Sequence, residues 1–191
     1  ENNIPCLYGI DTRYLTKKLA SNGALKAALI NFGDNKDLIN KIKNKINSWS
    51  GLENLDLAEI VSTNDKYNWN EGTWSENHKQ IEKKEFRVTC LDFGVKHNIL
   101  RNLHDHNLKP IVLNLSSSFD QILETKPDGI FLSNGPGDPY ATGEKIIYTL
   151  KKLIEIEIPI FGICLGHQIL SLALNAKTKK ITFTQALENF L

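Results

Sequence analysis

Methionine is missing from all 191 positions, the first included. A chain without an initiator residue is expected to have been cut from a longer one. Cysteine is scarce, and Cys6, Cys90 and Cys164 are too few and too scattered for a disulfide framework or a metal site. They fit a reducing, cytoplasmic setting. No apolar run approaches the roughly 20 residues of a bilayer-spanning helix, and the N-terminus lacks a basic-then-apolar signal pattern. Lys plus Arg number 23 against 22 Asp plus Glu, a net charge of +1, which removes the case for nucleic-acid or membrane-surface binding. Neither a P-loop nor a G-x-G-x-x-G is present, so the chain itself shows no sign of holding a nucleotide. What is there is 41% hydrophobic and 24% charged, enough to bury a real core in one or more units.

The stretch that organises the rest is Ile158-Pro-Ile-Phe-Gly-Ile-Cys-Leu-Gly-His-Gln-Ile-Leu170. A β-prone apolar run reaches Cys164 between Gly162 and Gly166, and Leu165, Ile169 and Leu172 then recur at helical spacing. That order predicts strand, sharp turn and helix with a cysteine at the apex, the arrangement of a nucleophile elbow. Glycines on both sides let neighbouring backbone pass close by. A thiol at a helix N-terminus is placed where the dipole favours thiolate, and the Leu165 N–H points to where an oxyanion would form. G-x-C-x-G is nonetheless a short pattern, and a free cysteine is also a small hydrophobe suited to a core. Both readings stand on these residues alone.

A second stretch, Asp128-Gly-Ile-Phe-Leu-Ser-Asn-Gly-Pro-Gly-Asp-Pro139, runs a buried-type strand into a turn dense in glycine and proline. In a parallel sheet, loops at the C-terminal strand ends line the ligand crevice, so this turn and that of Cys164 are expected on one rim. Backbone N–H groups around Gly135 and Gly137 are candidate oxyanion donors.

Along the chain, residues 1–61 form a first unit. Asp11 is expected to cap a helix with Tyr14, Leu15 and Leu19 on its apolar stripe, closed by Asn22-Gly23. Ala24 to Phe32 is predicted as a strand. Asp34 then caps a second helix carrying Leu38, Ile42 and Ile46, its lysines forming a solvated face. Residues 62–85 are a linker in which Tyr67, Trp69 and Trp74 around Asn70-Glu71-Gly72 suggest a small hairpin and Glu82 to Glu85 a charged connector.

From Phe86 onward, strands alternate with helices. Strands are expected at Phe86 to Asp92, Pro110 to Asn114, Gly129 to Leu132 and Ile158 to Ile163. Helices are expected at Val95 to His106, Phe119 to Lys126, Thr142 to Ile156 and after Cys164. The fold class is therefore α/β, a doubly wound and mostly parallel sheet preceded by part of a smaller α+β domain.

Gly162-Ile-Cys-Leu-Gly-His-Gln168 with Ser133-Asn-Gly-Pro-Gly-Asp-Pro139 resembles the class I, triad-type glutamine amidotransferases. Gly9-Ile-Asp-Thr-Arg13, Asp92-Phe-Gly-Val-Lys-His-Asn-Ile-Leu-Arg101, Pro127-Asp-Gly-Ile-Phe-Leu132 and Ala176-Lys-Thr178 are similar to one branch, the small, glutamine-hydrolysing subunits of carbamoyl phosphate synthetase. The likeness runs over roughly residues 4 to 183. It implies that 86–183 are an amidotransferase domain, that 1–61 are a remnant of the N-terminal small-subunit domain, and that 184–191 are a divergent tail. It also implies that Cys164 attacks the carboxamide of glutamine to give a glutamyl thioester and ammonia. Gly135, Gly137, Leu165 and Gln168 would contact the glutamine. The ammonia would pass to a large partner subunit, which would carry the ATP and Mg, for carbamoyl phosphate used in arginine and pyrimidine biosynthesis. No cofactor is implied for this chain.

The family places its catalytic His and the Glu that orients it well downstream of the elbow, whereas no histidine follows His167 here. His167, three residues past Cys164, is structural in the family's pattern, and Glu188 lies in the tail. The chain is accordingly expected to be a fragment with impaired turnover. Two other readings stay open: a non-catalytic scaffold that binds the large subunit, and the amidotransferase component of another biosynthetic enzyme, against which Gly9 to Arg13 argues.

Overall fold

The computed structural model describes residues 4–23, 25–30, 36–51, 54–74 and 86–179. The chain divides into two compact units, one holding residues up to Gly51 and the other Leu52–Thr178. In the first, α1 (Thr12–Asn22) starts where the Asp11 carboxylate accepts the Tyr14 N–H at 2.8 Å and ends at Gly23, whose φ is 74°. α2 (Lys36–Ser48) follows, with Leu38, Ile42 and Ile46 on its half-buried side. The strand expected over Ala24 to Phe32 is not seen among the described residues: 25–30 carry no regular secondary structure, and Ala24, Asn31 and Phe32 lie outside the described residues. β-prone composition alone cannot make a strand where no neighbouring backbone pairs with it. The Asp34 cap also lies outside the described residues.

The second unit begins ten residues before the boundary expected at 61. α3 (Leu57–Val61) is part of it, and Ala58 is fully buried in the same core as the sheet. The hairpin expected around Asn70 to Gly72 is replaced by β1 (Tyr67–Asn68), which pairs antiparallel with Val112 and Ile111. Short polar sequence suited an edge strand as well as a hairpin arm, and the free edge of the sheet took it. Glu82 to Glu85 lie outside the described residues.

β2 (Phe86–Asp92), α4 (His97–Asp105), β3 (Leu108–Asn114), α5 (Phe119–Glu124), β4 (Gly129–Leu132), α6 (Pro139–Glu155), β5 (Ile160–Gly162) and α7 (Leu165–Ala173) complete the unit. The strand order is β1-β3-β2-β4-β5, parallel throughout except for β1. β2 is the central strand, matched from Phe86↔Leu108 to Asp92↔Asn114 on one side and from Val88↔Gly129 to Leu91↔Leu132 on the other. The chain leaves β2 first toward β3 and then returns to β4 on the opposite side. Loops after β2 and β4 therefore diverge at a switch point, where parallel sheets open a crevice.

Alternation along β2 sends Cys90 to one face and Leu91 to the other. Cys90 packs with Leu100, Val112 and Phe131 under α4, while Leu91, Leu113, Ile130 and Leu132 meet Ile146, Leu150, Leu153 and Ile169 from α6 and α7. Each such fully buried aliphatic side chain contributes roughly 1.5–3 kcal/mol of burial free energy. Two helix starts are fixed by local chemistry. Ser118 and Gln121 form a reciprocal capping box at α5. At α6 the Asp138 carboxylate accepts the Tyr140 N–H at 2.9 Å and Pro139 occupies the first helical turn. That cap starts α6 three residues before the expected Thr142.

Candidate active site

β5 is only three residues long, and its chain turns at once into α7 through Ile163 and Cys164. Cys164 is the N-cap of α7 with φ 53° and ψ −112°, a combination outside the regions where L residues rest comfortably. Such strain costs about 1–3 kcal/mol and persists only where the surroundings enforce it. Here they do. A Cβ on Gly166 would run into the carbonyl of Leu132, and one on Gly162 would come within 2.7 Å of the Gly166 carbonyl carbon. The strand end, the turn and the first helical turn therefore stack backbone on backbone, with room only for glycine. The thiol is exposed and takes no part in the core, which excludes the reading of Cys164 as a small buried hydrophobe.

Hydrogen bonds join this elbow to the loop after β4. The Ile163 N–H donates to the Leu132 carbonyl at 3.1 Å, and the Gly166 N–H to the Ser133 carbonyl at 3.1 Å. Gln168 lies exposed one turn along, its N–H donating to the Cys164 carbonyl at 3.0 Å. Leu165 is 1% exposed and its side chain belongs to the core, which fixes the first residue of α7 next to Cys164. Of the N–H groups at the start of α7, that of Gly166 is taken by Ser133 and Ile163 and that of Gln168 by the Cys164 carbonyl, beside an exposed sulfur.

The β4 loop is built with equal care. Ser133 is fully buried; its hydroxyl accepts the Phe93 N–H at 2.9 Å and donates to the Asn134 carbonyl at 2.7 Å. Asn134 reaches across to the loop after β2, accepting from the Lys96 N–H at 3.0 Å and donating to the Gly94 carbonyl at 3.1 Å. A Cβ on Gly135 would collide with the Phe93 carbonyl, and Gly137 has φ 111°, a conformation that glycine takes without strain. Asp92 closes the β2 end, its carboxylate accepting N–H groups of Gly94, Val95 and Thr63 at 2.8–2.9 Å. It is a turn former.

Thus Cys164, Leu165 and Gln168 share one turn of chain, and two backbone hydrogen bonds tie that turn to the loop bearing Gly135 and Gly137. His167 is exposed, and its carbonyl accepts the Ser171 hydroxyl at 2.8 Å. Cys90, by contrast, is fully buried, and burial pushes its thiol far above the usual range, with the nearby Asp92 charge adding to the effect. It is inert core. Glu188 lies outside the described residues.

A profile described as glutamine amidotransferase class-I matches residues 89–189, more than half of the chain. The chain belongs to the class-I glutamine amidotransferases. Its matched region includes both the elbow and the β4 loop. The carbamoyl phosphate synthase small chain of Zymomonas mobilis subsp. mobilis is 45% identical over 178 residues, covering 92% of this chain and 48% of that protein. The protein of the same name from Brucella anthropi is 45% identical over 177 residues, 92% of this chain and 44% of the relative. That of Caulobacter vibrioides is 43% identical over 177 residues, covering 92% and 46%. The chain spans about half the length of the curated relatives it matches.

Two features of this family site carried no role in the sequence reading. Ser133 was visible only as part of a motif, although a serine directly after a buried strand is suited to bonding its own turn. The segment Asn54 to Thr63, which braces the β4 loop, gave no signal beyond the pattern Asp56-x-x-Glu59 that opens α3.

Proposed function

We propose that this chain is the glutamine-hydrolysing part of a carbamoyl phosphate synthetase small subunit, acting in the cytoplasm and delivering ammonia to a large ATP- and Mg-using partner. The observation that carries the reading is Cys164 itself: an exposed thiol held at a strained helix N-terminus, tied by hydrogen bonds to a second glycine-lined loop. The relatives at 43–45% identity, all named carbamoyl phosphate synthase small chains, support the choice of this branch over other amidotransferases.

In the reaction, the Cys164 thiolate adds to the carboxamide carbon of glutamine, and the carbonyl electron pair moves to oxygen. Backbone N–H groups at Leu165 and near Gly137 stabilise that oxyanion, each donor contributing about 2.7–4 kcal/mol to the transition state. The C–N bond then breaks, the nitrogen takes from water a proton equivalent to the one the thiol gave up and leaves as ammonia, and a glutamyl thioester remains on sulfur. Water attacks the thioester carbon and releases glutamate and the thiol. Gly135 and Gln168 complete the glutamine contacts. Ammonia transfer to the large subunit serves the ATP-dependent synthesis of carbamoyl phosphate for arginine and pyrimidine pathways.

The test is to mix the chain with radiolabelled glutamine, quench in acid and digest. The expected result is a glutamyl group on the Cys164 peptide, released by hydroxylamine as a thioester is. Absence of label, or label on Cys6, overturns the proposal.

A further inference from the structure

The Gly135–Asp138 loop is backed by residues that come from far earlier in the chain. The Leu55 carbonyl accepts the Asp138 N–H at 3.2 Å, and the Asn54 N–H donates to the Asp138 carboxylate at 3.3 Å. Behind Gly137, a Cβ would press on the Leu55 carbonyl at 3.0 Å and on the Leu57 nitrogen at 3.1 Å. Further along, Thr63 bonds Asp92 and Asn114, and the Ser62 hydroxyl accepts the Leu115 N–H at 3.1 Å. One segment thus crosses the C-terminal ends of β3 and β2 and lies against the β4 loop.

Its anchor is a charge cluster on α6. The Asp56 carboxylate accepts the Thr142 hydroxyl at 2.9 Å and the Glu59 N–H at 3.3 Å, and pairs with the Lys145 ammonium at 2.8 Å. Lys145 also pairs with Glu59. The Asp56 side chain is 16% exposed and that of Lys145 36%, so the carboxylate end of the pair is the part withdrawn from water. Removing Lys145 leaves the withdrawn Asp56 carboxylate without its counter-charge, whereas removing Asp56 leaves Lys145 paired with Glu59 alone. Only Ala58 of this segment enters the hydrophobic core, so its hold on the rim is mainly polar.

We infer that Asn54–Thr63 is a strap that positions the Gly135–Asp138 loop for glutamine, with Asp56 as its positioning residue and Lys145 as the counter-charge. The inference rests on the reading of Gly135 and Gly137 as glutamine contacts. Asp56 acts through the Leu55 and Leu57 backbone and Thr142. Releasing it leaves the Cys164 elbow intact, because that turn is held by its own glycines and by Ser133. The strap therefore governs how well glutamine is bound rather than how reactive the sulfur is.

The experiment compares wild type with Asp56→Ala, Asp56→Asn, Lys145→Met and the Asp56→Ala/Lys145→Met pair in the full chain. Inactivation by a chloromethyl ketone analogue of glutamine is resolved into KI and kinact, with iodoacetamide as a probe that needs no glutamine pocket. Asp56→Ala is expected to raise KI about tenfold by lowering the fraction of chains with a competent loop, while kinact and the iodoacetamide rate stay within about twofold. Asp56→Asn, which keeps an acceptor for Thr142, gives a smaller rise, and the pair is no worse than Asp56→Ala alone, as expected for partners in one interaction. An unchanged KI in Asp56→Ala overturns the strap, as does a parallel fall in the iodoacetamide rate. Should wild type itself resist the analogue while alkylated by iodoacetamide, the glutamine reading fails. Hydrogen exchange then decides the strap alone: faster exchange across 133–138 in Asp56→Ala with α7 unchanged upholds it, and equal exchange refutes it.

Discussion

The two glycine-bearing turns of the site are held in place by different means. The Cys164 elbow is fixed by backbone stacked on backbone, because Gly162 lies against its own helix start, Gly166 lies against the end of the adjacent strand β4, and neither leaves room for another path. The β4 loop instead depends on partners remote in sequence, among them Leu55 and Asp56, the latter 86 positions from the Thr142 it bonds. A turn stacked directly on the neighbouring strand can be strained and still stay rigid. A turn braced from afar can be adjusted by changes that touch neither substrate nor nucleophile.

Breaking the elbow should give the largest effects. Cys164→Ser is expected to abolish glutamyl labelling while leaving far-UV circular dichroism and the melting temperature close to wild type, since the exposed sulfur contributes nothing to the core. Retained label in this variant would place the reactive thiol elsewhere. Gly166→Ala inserts a methyl against the Leu132 carbonyl, and is expected to destabilise the unit by about 1–3 kcal/mol or more in urea melts, the usual range for overpacking. A neutral result would mean that the elbow is looser than its backbone contacts indicate.

On the other side of the comparison the effects are graded. Ser133→Ala removes the hydroxyl that links Phe93 to Asn134, and is expected to cost about 1–3 kcal/mol because the Phe93 N–H loses its acceptor in a buried position. The strap should be sensitive to acid. Burial works to raise the Asp56 carboxyl, but bonds from Lys145, Thr142 and the Glu59 N–H outweigh it and hold the group below its usual range. A carboxyl lowered on folding stabilises above its unfolded value, near about 3.9, and loses that contribution as pH falls through the folded value. Lys145 is shifted the other way by its bonds to Asp56 and Glu59, so its contribution is complete at neutral pH and disappears only in strong alkali. Melting temperatures of wild type and Asp56→Ala are therefore expected to differ at pH 7 and to converge below about pH 4. A constant gap across that range would remove the carboxylate from the account.

The same contrast explains what the sequence made legible. β2 and β4 were bounded correctly at Phe86–Asp92 and Gly129–Leu132, because both are apolar runs ended by turn residues. The elbow was legible because strand, nucleophile, glycine and helix occupy a dozen consecutive positions. Asp138-Pro139 carried a helix-start signal that a purely apolar reading of α6 passed over. The edge strand at Tyr67 and the strap at Asn54–Thr63 were not legible, since each takes its conformation from a partner that only the folded sheet brings near. Residues 25–30 are the converse case, in which β-prone composition gives no strand among the described residues.

Cys6 and Cys164 are both exposed, and that pair offers the most direct test of the central claim. The chain is treated with the chloromethyl ketone analogue of glutamine, with and without excess glutamine, and each cysteine peptide is quantified by mass spectrometry. The account predicts an adduct on Cys164 that glutamine suppresses, with Cys6 modified slowly and without protection. Equal modification of the two thiols, indifferent to glutamine, would contradict it.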